Sequence, residues 1–221
     1  GILVPEICLG TMTFGEQNTQ QEAFDQLNYA LERGLNFWDT AEMYPVPPKP
    51  ETQGRTESII GNWIAQHGGR DQLFIASKIA GPSQGGSHIR DGQTRFTAAE
   101  ISSALDDSLK RLQTDYIDLY QLHWPQRNTN FFGKLGYGNN EALDEKPVTA
   151  LAETLIALAE EVEKGRIRHI GLSNETPWGT MKFLQLAEQL GIDKIVSVQN
   201  PYNLLNRSYE IGMAEIAKYE G

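Results

Sequence analysis

The sequence predicts an α/β fold on a parallel sheet, and three observations carry that prediction. Short β-branched or aromatic runs alternate with longer amphipathic segments through six consecutive βα units. No two strand-like runs follow each other directly, so each strand returns through a crossover helix and the sheet is parallel. Two architectures fit such a sheet, an open doubly wound one and a closed barrel. The doubly wound type usually carries a glycine fingerprint after its first strand. Here Gly10-Thr11-Met12-Thr13-Phe14-Gly15 stands in that place, and the chain has no Walker-type loop and no Tyr-x-x-x-Lys pair.

The elements follow in order. Ile7–Gly10 reads as the first strand, and Gln20–Arg33 as a helix with Ala23, Phe24, Leu27, Ala30 and Leu31 at helical spacing, closed by Gly34. Leu35–Thr40 is the second strand and Thr56–Gln66 the second helix, with Ile59, Ile60, Trp63 and Ile64 inward. Leu73–Lys78 is the third strand. Thr97 and Glu100 form a capping box ahead of the third helix, Phe96 and Ile101 can staple it, and its buried stripe is Ile101, Leu105, Leu109 and Leu112. Tyr116–His123 is the fourth strand, followed by a helix from about Thr149 to Lys164. Ile167–Ser173 is the fifth strand. Thr176 caps the next helix, with Pro177 in its first turn, where a missing N–H costs nothing. Gly191 ends that helix, Ile195–Gln199 is the sixth strand, and Ser208–Tyr219 the sixth helix.

Composition narrows the function classes. The 221 residues suit one large domain spanning 1–221, and 39% hydrophobic with 22% charged residues is the make-up of a soluble globular protein. No apolar run approaches the ~18–20 residues that cross a bilayer, and no signal peptide is visible, so membrane insertion is not expected. The single cysteine, Cys8, excludes an intramolecular disulfide and agrees with a reducing, cytoplasmic setting. The two Asn-x-Ser/Thr sequons are accordingly chance matches. A formal charge of −10 argues against nucleic acid as a partner, though local donors can still hold an anionic cofactor. His67, His88 and His169 lack metal-ligand spacing, so no metal site is expected. Oligomeric state is not legible.

In a closed barrel the active site lies at the C-terminal strand ends. Alternation puts Leu35, Phe37 and Asp39 on one face, leaving Trp38 for the helix layer; Phe74, Ala76 and Lys78 share a face, as do Ile117, Leu119, Gln121 and His123. Three adjacent strands thus carry apolar residues low and an ionisable residue at the top, with Tyr44 five residues beyond Asp39. Alone, an Asp at a strand end reads as a turn cap, a lysine as solvated, and a histidine as a core residue. Their order and spacing together give the pattern meaning.

Asp39-Thr40-Ala41-Glu42-Met43-Tyr44, Ser77-Lys78 and Leu122-His123-Trp124 resemble the catalytic tetrad segments of the aldo-keto reductases. The resemblance continues through Gly10-Thr11-Met12, Gly171-Leu172-Ser173-Asn174 and Gln199-Asn200-Pro201-Tyr202, in family order over essentially the whole chain. Within the family, Tyr44-Pro45-Val46-Pro47 and the long loop after His123 are similar to the Tas-like reductases, and the barrel also resembles the potassium-channel β subunits. It implies a (β/α)8 TIM barrel, of which six units are present here, and a chain continuing through units seven and eight, which bind the adenosine 2′-phosphate and pyrophosphate. It implies an NADPH-dependent oxidoreductase that reduces aldehydes or ketones to alcohols, with Tyr44 as general acid, Lys78 tuning it, Asp39 pairing Lys78, and His123 orienting the carbonyl. The cofactor-binding residues implied are Gly10, Thr11, Met12, Asp39, Ser173, Asn174, Gln199 and Tyr202. Tyr44, His123 and Trp124 face the substrate, with Met43 a further wall candidate.

The residue types suit the chemistry. An alkoxide must be protonated as it forms, and a phenol with pKa near 10 is a poor acid at neutral pH unless its conjugate base is stabilised. A neighbouring ammonium lowers that pKa, and a carboxylate behind it keeps the lysine charged. Two other functions share parts of this pattern: a channel-β-like barrel that holds cofactor for regulation, and a Schiff-base enzyme using Lys78. The loops Ala80–Arg95 and Pro125–Pro147 are long for βα connections and are expected to fold over the site and set substrate choice.

Overall fold

A computed structural model describes residues 2–82, 88–92, 94–132, 136 and 147–221. Its elements run β1 (Leu9–Gly10), α1 (Gln20–Glu32), β2 (Phe37–Asp39), α2 (Arg55–His67), β3 (Phe74–Ile79), α3 (Ala98–Leu112), β4 (Ile117–Leu122), α4 (Pro147–Glu163), β5 (Ile167–Ser173), α5 (Pro177–Leu190), β6 (Ser197–Gln199) and α6 (Met213–Glu220). Every ladder is parallel, and the strands neighbour one another in chain order from β1 to β6. Six parallel strands curled in sequence, with a helix between each pair, are part of a (β/α)8 barrel. Among the described residues no ladder joins β1 to β6, so the sheet stays open between them. That is the arrangement expected of six strands set at the tilt and stagger of eight.

Helix starts are chemically marked. Thr19 with Glu22 and Thr97 with Glu100 form reciprocal capping boxes for α1 and α3, each satisfying two orphan donors. Thr176 accepts from Gly179 N–H to cap α5, and Gly191 closes that helix in the left-handed region. The predicted stripe of α3 is inward: Ile101, Leu105 and Leu112 are fully buried, and Leu109 is partly so against the same core. Burying one such side chain contributes about 1.5–3 kcal/mol. Trp38 does point to the helix layer, meeting Trp63 of α2 edge to face at 5.0 Å, and its indole N–H donates to Leu35 O.

Buried polar groups fix how the strands sit. Glu57 of α2 accepts from Ser77 Oγ at 2.5 Å and from Arg111 Nε at 2.7 Å, tying α2, α3 and β3 together one residue before Lys78. At the other strand ends, Asp118 accepts from Ile75 N–H, Arg70 and Arg168, spanning β3, β4 and β5. Gly61 lets α2 press against α3: a Cβ there would lie 2.1 Å from Arg111 O.

Several element ends differ from the sequence expectation. The first strand is only Leu9–Gly10, because Ile7, at an open sheet edge, is mostly exposed. β6 begins at Ser197 rather than Ile195, although Val196 N–H still reaches Ile170 O. The sixth helix is split: a 3-10 turn covers Ser208–Glu210, and α6 starts at Met213 after Gly212, whose φ of 89° no helix accommodates. Parts of the two long loops, 83–87, 93, 133–135 and 137–146, lie outside the described residues. No described helix is long and apolar enough to cross a membrane, and no group of three or more described His, Cys, Asp or Glu side chains could hold a metal ion.

Candidate active site

The strand ends bring Asp39, Tyr44, Lys78 and His123 together. Lys78 is wholly buried, and its ammonium donates to Asp39 Oδ2 at 2.7 Å, Thr40 O at 2.8 Å and Tyr44 Oη at 3.3 Å. All three donors of the ammonium are therefore spoken for. The His123 ring packs edge-on to Tyr44 with centroids 5.6 Å apart. Its Nδ1 is buried without a hydrogen-bond partner, which leaves a polar atom available inside the site.

The turn bearing Tyr44 is held at several points. Glu42 N–H donates to Lys78 O at 3.1 Å, Tyr44 N–H to Ala41 O at 3.1 Å, and Gly54 N–H to Tyr44 O at 2.9 Å. The buried Glu42 carboxylate accepts from Ala80 N–H and pairs with Arg90. The phenol is thus placed by backbone rather than by its own side-chain freedom.

Electrostatics assign the charges. Burial pulls Lys78 down, but the Asp39 carboxylate and Tyr44 outweigh it and hold the ammonium above its ordinary range. Burial, reinforced by Lys78, holds His123 well below the usual imidazole value, so the ring is neutral at neutral pH. For Tyr44 the expectation of a lowered pKa needs correcting: burial raises the phenol, and although Lys78 pulls it down, the net direction is up. Desolvation of a phenolate outweighs one ammonium held largely by another carboxylate. A lysine kept charged and fully hydrogen-bonded is a poor amine nucleophile, which counts against the Schiff-base alternative.

The other predicted residues divide between two cavities: Asp39, Gln199 and Tyr202 line one, Ser173 and Trp124 the other. A cleft of about 590 Å³ inside the curled sheet is lined by Asp39, Gln121, Gln199, Asn200 and Tyr202, among others. Ser173 is buried. Asn174 has φ of 53°; its Nδ2 donates to His123 O at 2.9 Å and Ser173 Oγ at 3.1 Å, and its N–H to Gln199 O. Tyr202 is half-exposed, its hydroxyl donating to Glu210 at 2.6 Å. Gly10 faces open space, and Met12 is half-exposed. Thr11 is different: its hydroxyl is buried and donates to Asp39 O at 2.8 Å, so it steadies β2. Trp124 adjoins His123, with ring centroids 5.0 Å apart, but is only 9% exposed; it packs on Ala80 and Ile89 with Met43 alongside, and donates to Pro82 O.

A second, more enclosed cavity of about 170 Å³ lies between the tops of β4 and β5 and the helices α4 and α5. Its lining includes Trp124, Arg127, Ser173 and Glu175.

Several contacts escaped sequence reasoning, among them those of Gln121 and Arg127. Gln121 donates to Asp39 Oδ1 at 3.2 Å, orienting the carboxylate whose other oxygen takes Lys78. Its place on the inward face was legible two residues before His123, but a glutamine there carries no distinctive signal. The Arg127–Glu175 pair joins residues 48 apart in sequence, a contact that local spacing does not reveal.

Comparison with known proteins identifies the family. The family model described as Aldo/keto reductase family matches residues 6–221. The chain belongs to the aldo/keto reductase family. Among family relatives, Protein tas of Escherichia coli (strain K12) is 56% identical over 219 residues, covering 99% of this chain and 62% of the relative. The uncharacterized oxidoreductase YrpG of Bacillus subtilis (strain 168) is 32% identical, covering 99% of this chain and 60% of its own length. Norsolorinic acid reductase B of Aspergillus parasiticus is 28% identical, covering 100% of this chain and 53% of its own length. The chain thus spans only part of these aldo/keto reductase family members.

Proposed function

We propose that this single barrel domain belongs to an NADPH-dependent reductase that converts aldehydes or ketones to alcohols, with Tyr44 as the proton donor. The observation that carries the reading is the buried Lys78 ammonium, bridging Asp39 Oδ2 and Tyr44 Oη beside a neutral His123. When bound, NADPH supplies hydride. The chain's own residues do the rest. Tyr44 presents its hydroxyl proton to the developing alkoxide, and Lys78 stabilises the phenolate left behind. Asp39, oriented by Gln121, keeps Lys78 charged. His123 hydrogen-bonds the carbonyl oxygen and turns it toward Tyr44. Positioned acid catalysis of this kind is worth about 10²–10⁴-fold.

The residues present fit a nicotinamide ring. The Asn174 side-chain amide carries an acceptor of the kind a carboxamide N–H needs, Ser173 has a hydroxyl beside it, and Tyr202 offers a half-exposed ring at the cleft. Asp39, Gly10, Met12 and Gln199 complete the surroundings. Trp124 contributes the substrate wall next to His123. The preference for NADPH over NADH, and a cytoplasmic location, complete the proposal.

The test is a carbonyl panel with NADPH and the intact protein, following absorbance of the reduced cofactor. Steady turnover of at least one aldehyde or ketone supports the reading. A single burst matching the amount of bound cofactor, with no turnover after it, would instead fit a regulatory cofactor-holding barrel.

A further inference from the structure

The loops that follow β4, β5 and β6 are tied by a buried network that none of the steps above uses. Arg127, four residues past His123, donates from Nη1 and Nη2 to the two oxygens of Glu175 at 2.9 and 2.5 Å, and from Nη2 to Thr176 Oγ1 at 2.8 Å. The pair is nearly closed to solvent, with side chains 9% and 4% exposed, and Trp178 lies against the guanidinium. Glu175 directly follows Asn174, and its own carbonyl accepts from Asn200, the neighbour of Gln199. Asn174 in turn binds His123 O and Gln199 O. Three strand ends therefore meet at two consecutive residues. The first turn of α5 leaves no room for slack: a Cβ on Gly179 would lie 2.3 Å from Glu175 Oε1 and 2.5 Å from Arg127 Nη2.

Two facts make this more than a stabilising contact. Asn174 holds a left-handed backbone conformation, which asparagine adopts more readily than other L residues, and its contacts to His123 O and Gln199 O hold it there. A buried ion pair is also a poor source of net stability compared with an apolar pair of similar volume, and its best-attested use is to fix a register.

We propose that Arg127 and Glu175 are positioning residues, a clamp that holds Asn174 in register with His123 and Gln199. The ligand group served is a planar primary carboxamide, recognised through an N–H donated to Asn174 Oδ1. The proposal rests on reading the cleft as a nicotinamide site.

The experiment compares binding, not turnover, in the intact protein. Dissociation constants are measured by fluorescence titration for NADPH and for its acetylpyridine analogue, in which a methyl ketone replaces the carboxamide and no N–H remains. Wild type should bind NADPH more tightly than the analogue. Glu175→Gln should weaken NADPH by about 10-fold, the size of one well-made hydrogen bond, and leave the analogue almost unchanged. Arg127→Lys keeps the charge but loses the two-pronged contact, so it should give the same selective loss, and it carries the test if Glu175→Gln fails to fold. Equal weakening of both ligands, or of neither, overturns the clamp while leaving the cofactor site standing. If wild type itself fails to distinguish the two ligands, the carboxamide reading falls, and the clamp falls with it.

Discussion

Replacing Lys78 with methionine removes a charge of fixed geometry while roughly keeping the volume. In the wild type the ammonium satisfies Asp39 Oδ2 at 2.7 Å and Thr40 O at 2.8 Å in a site closed to water. The substitution leaves Asp39 buried with Gln121 as its remaining side-chain partner. Breaking a buried pair from one side costs about 3–5 kcal/mol, because it leaves the partner charge buried and uncompensated. On the alkaline side, the folded-state pKa of Lys78 lies above its ordinary 10.5. Its stabilisation is thus fully present below that value and is lost as pH rises through the folded-state value. Catalytically, Coulomb's law at the 3.3 Å Nζ–Oη separation, with an effective dielectric of about 20, gives roughly 5 kcal/mol of phenolate stabilisation before solvent screening. Without it the phenol pKa climbs further, and turnover should fall by about 10²–10⁴-fold. Urea denaturation at pH 7 and at higher pH, with carbonyl turnover on the same samples, reads both effects. A variant as stable and as active as wild type at pH 7 would refute the pairing of Lys78 with both Asp39 and Tyr44.

Two other perturbations follow from the same structure. His123 is held well below the ordinary imidazole pKa of 6.5, so protonation is disfavoured in the fold; its contribution to stability should be complete above pH 6.5 and lost as pH falls below it. His123→Gln should flatten that part of a melting-temperature profile. Gly61→Ala favours helix by about 1 kcal/mol, yet its Cβ would meet Arg111 O at 2.1 Å. Net destabilisation of about 1–3 kcal/mol from overpacking is expected in a denaturant titration.

The fold was legible where periodicity was strong and capping was local. Thr97-x-x-Glu100 and Thr176-Pro177 fixed two helix starts, and alternation placed Trp38 outward with Asp39, Lys78 and His123 at strand tops. The ends that moved are those where tertiary context decides. Ile7 lies beyond a two-residue strand at an open edge, and Gly212 breaks a segment whose apolar spacing runs straight through it. The candidate site was legible as residue types in order, because chemistry restricts which side chains serve. What stayed hidden was long range: Gln121 on Asp39, Glu42 between Ala80 and Arg90, and Arg127 on Glu175 each depend on strand register that no local pattern encodes. The direction of the Tyr44 shift was hidden for a related reason, since burial of the phenol is a property of the assembled barrel.

Tyr44→Phe tests the central claim most directly, because it deletes one hydroxyl and keeps the ring against His123. Turnover of a reducible carbonyl and the NADPH dissociation constant are measured on the intact protein beside wild type. The account predicts a fall in turnover of about 10²–10⁴-fold with cofactor affinity unchanged, since the hydroxyl donates the proton and does not hold the nicotinamide. Turnover close to wild type, with cofactor still bound, would contradict it and remove Tyr44 from the acid role.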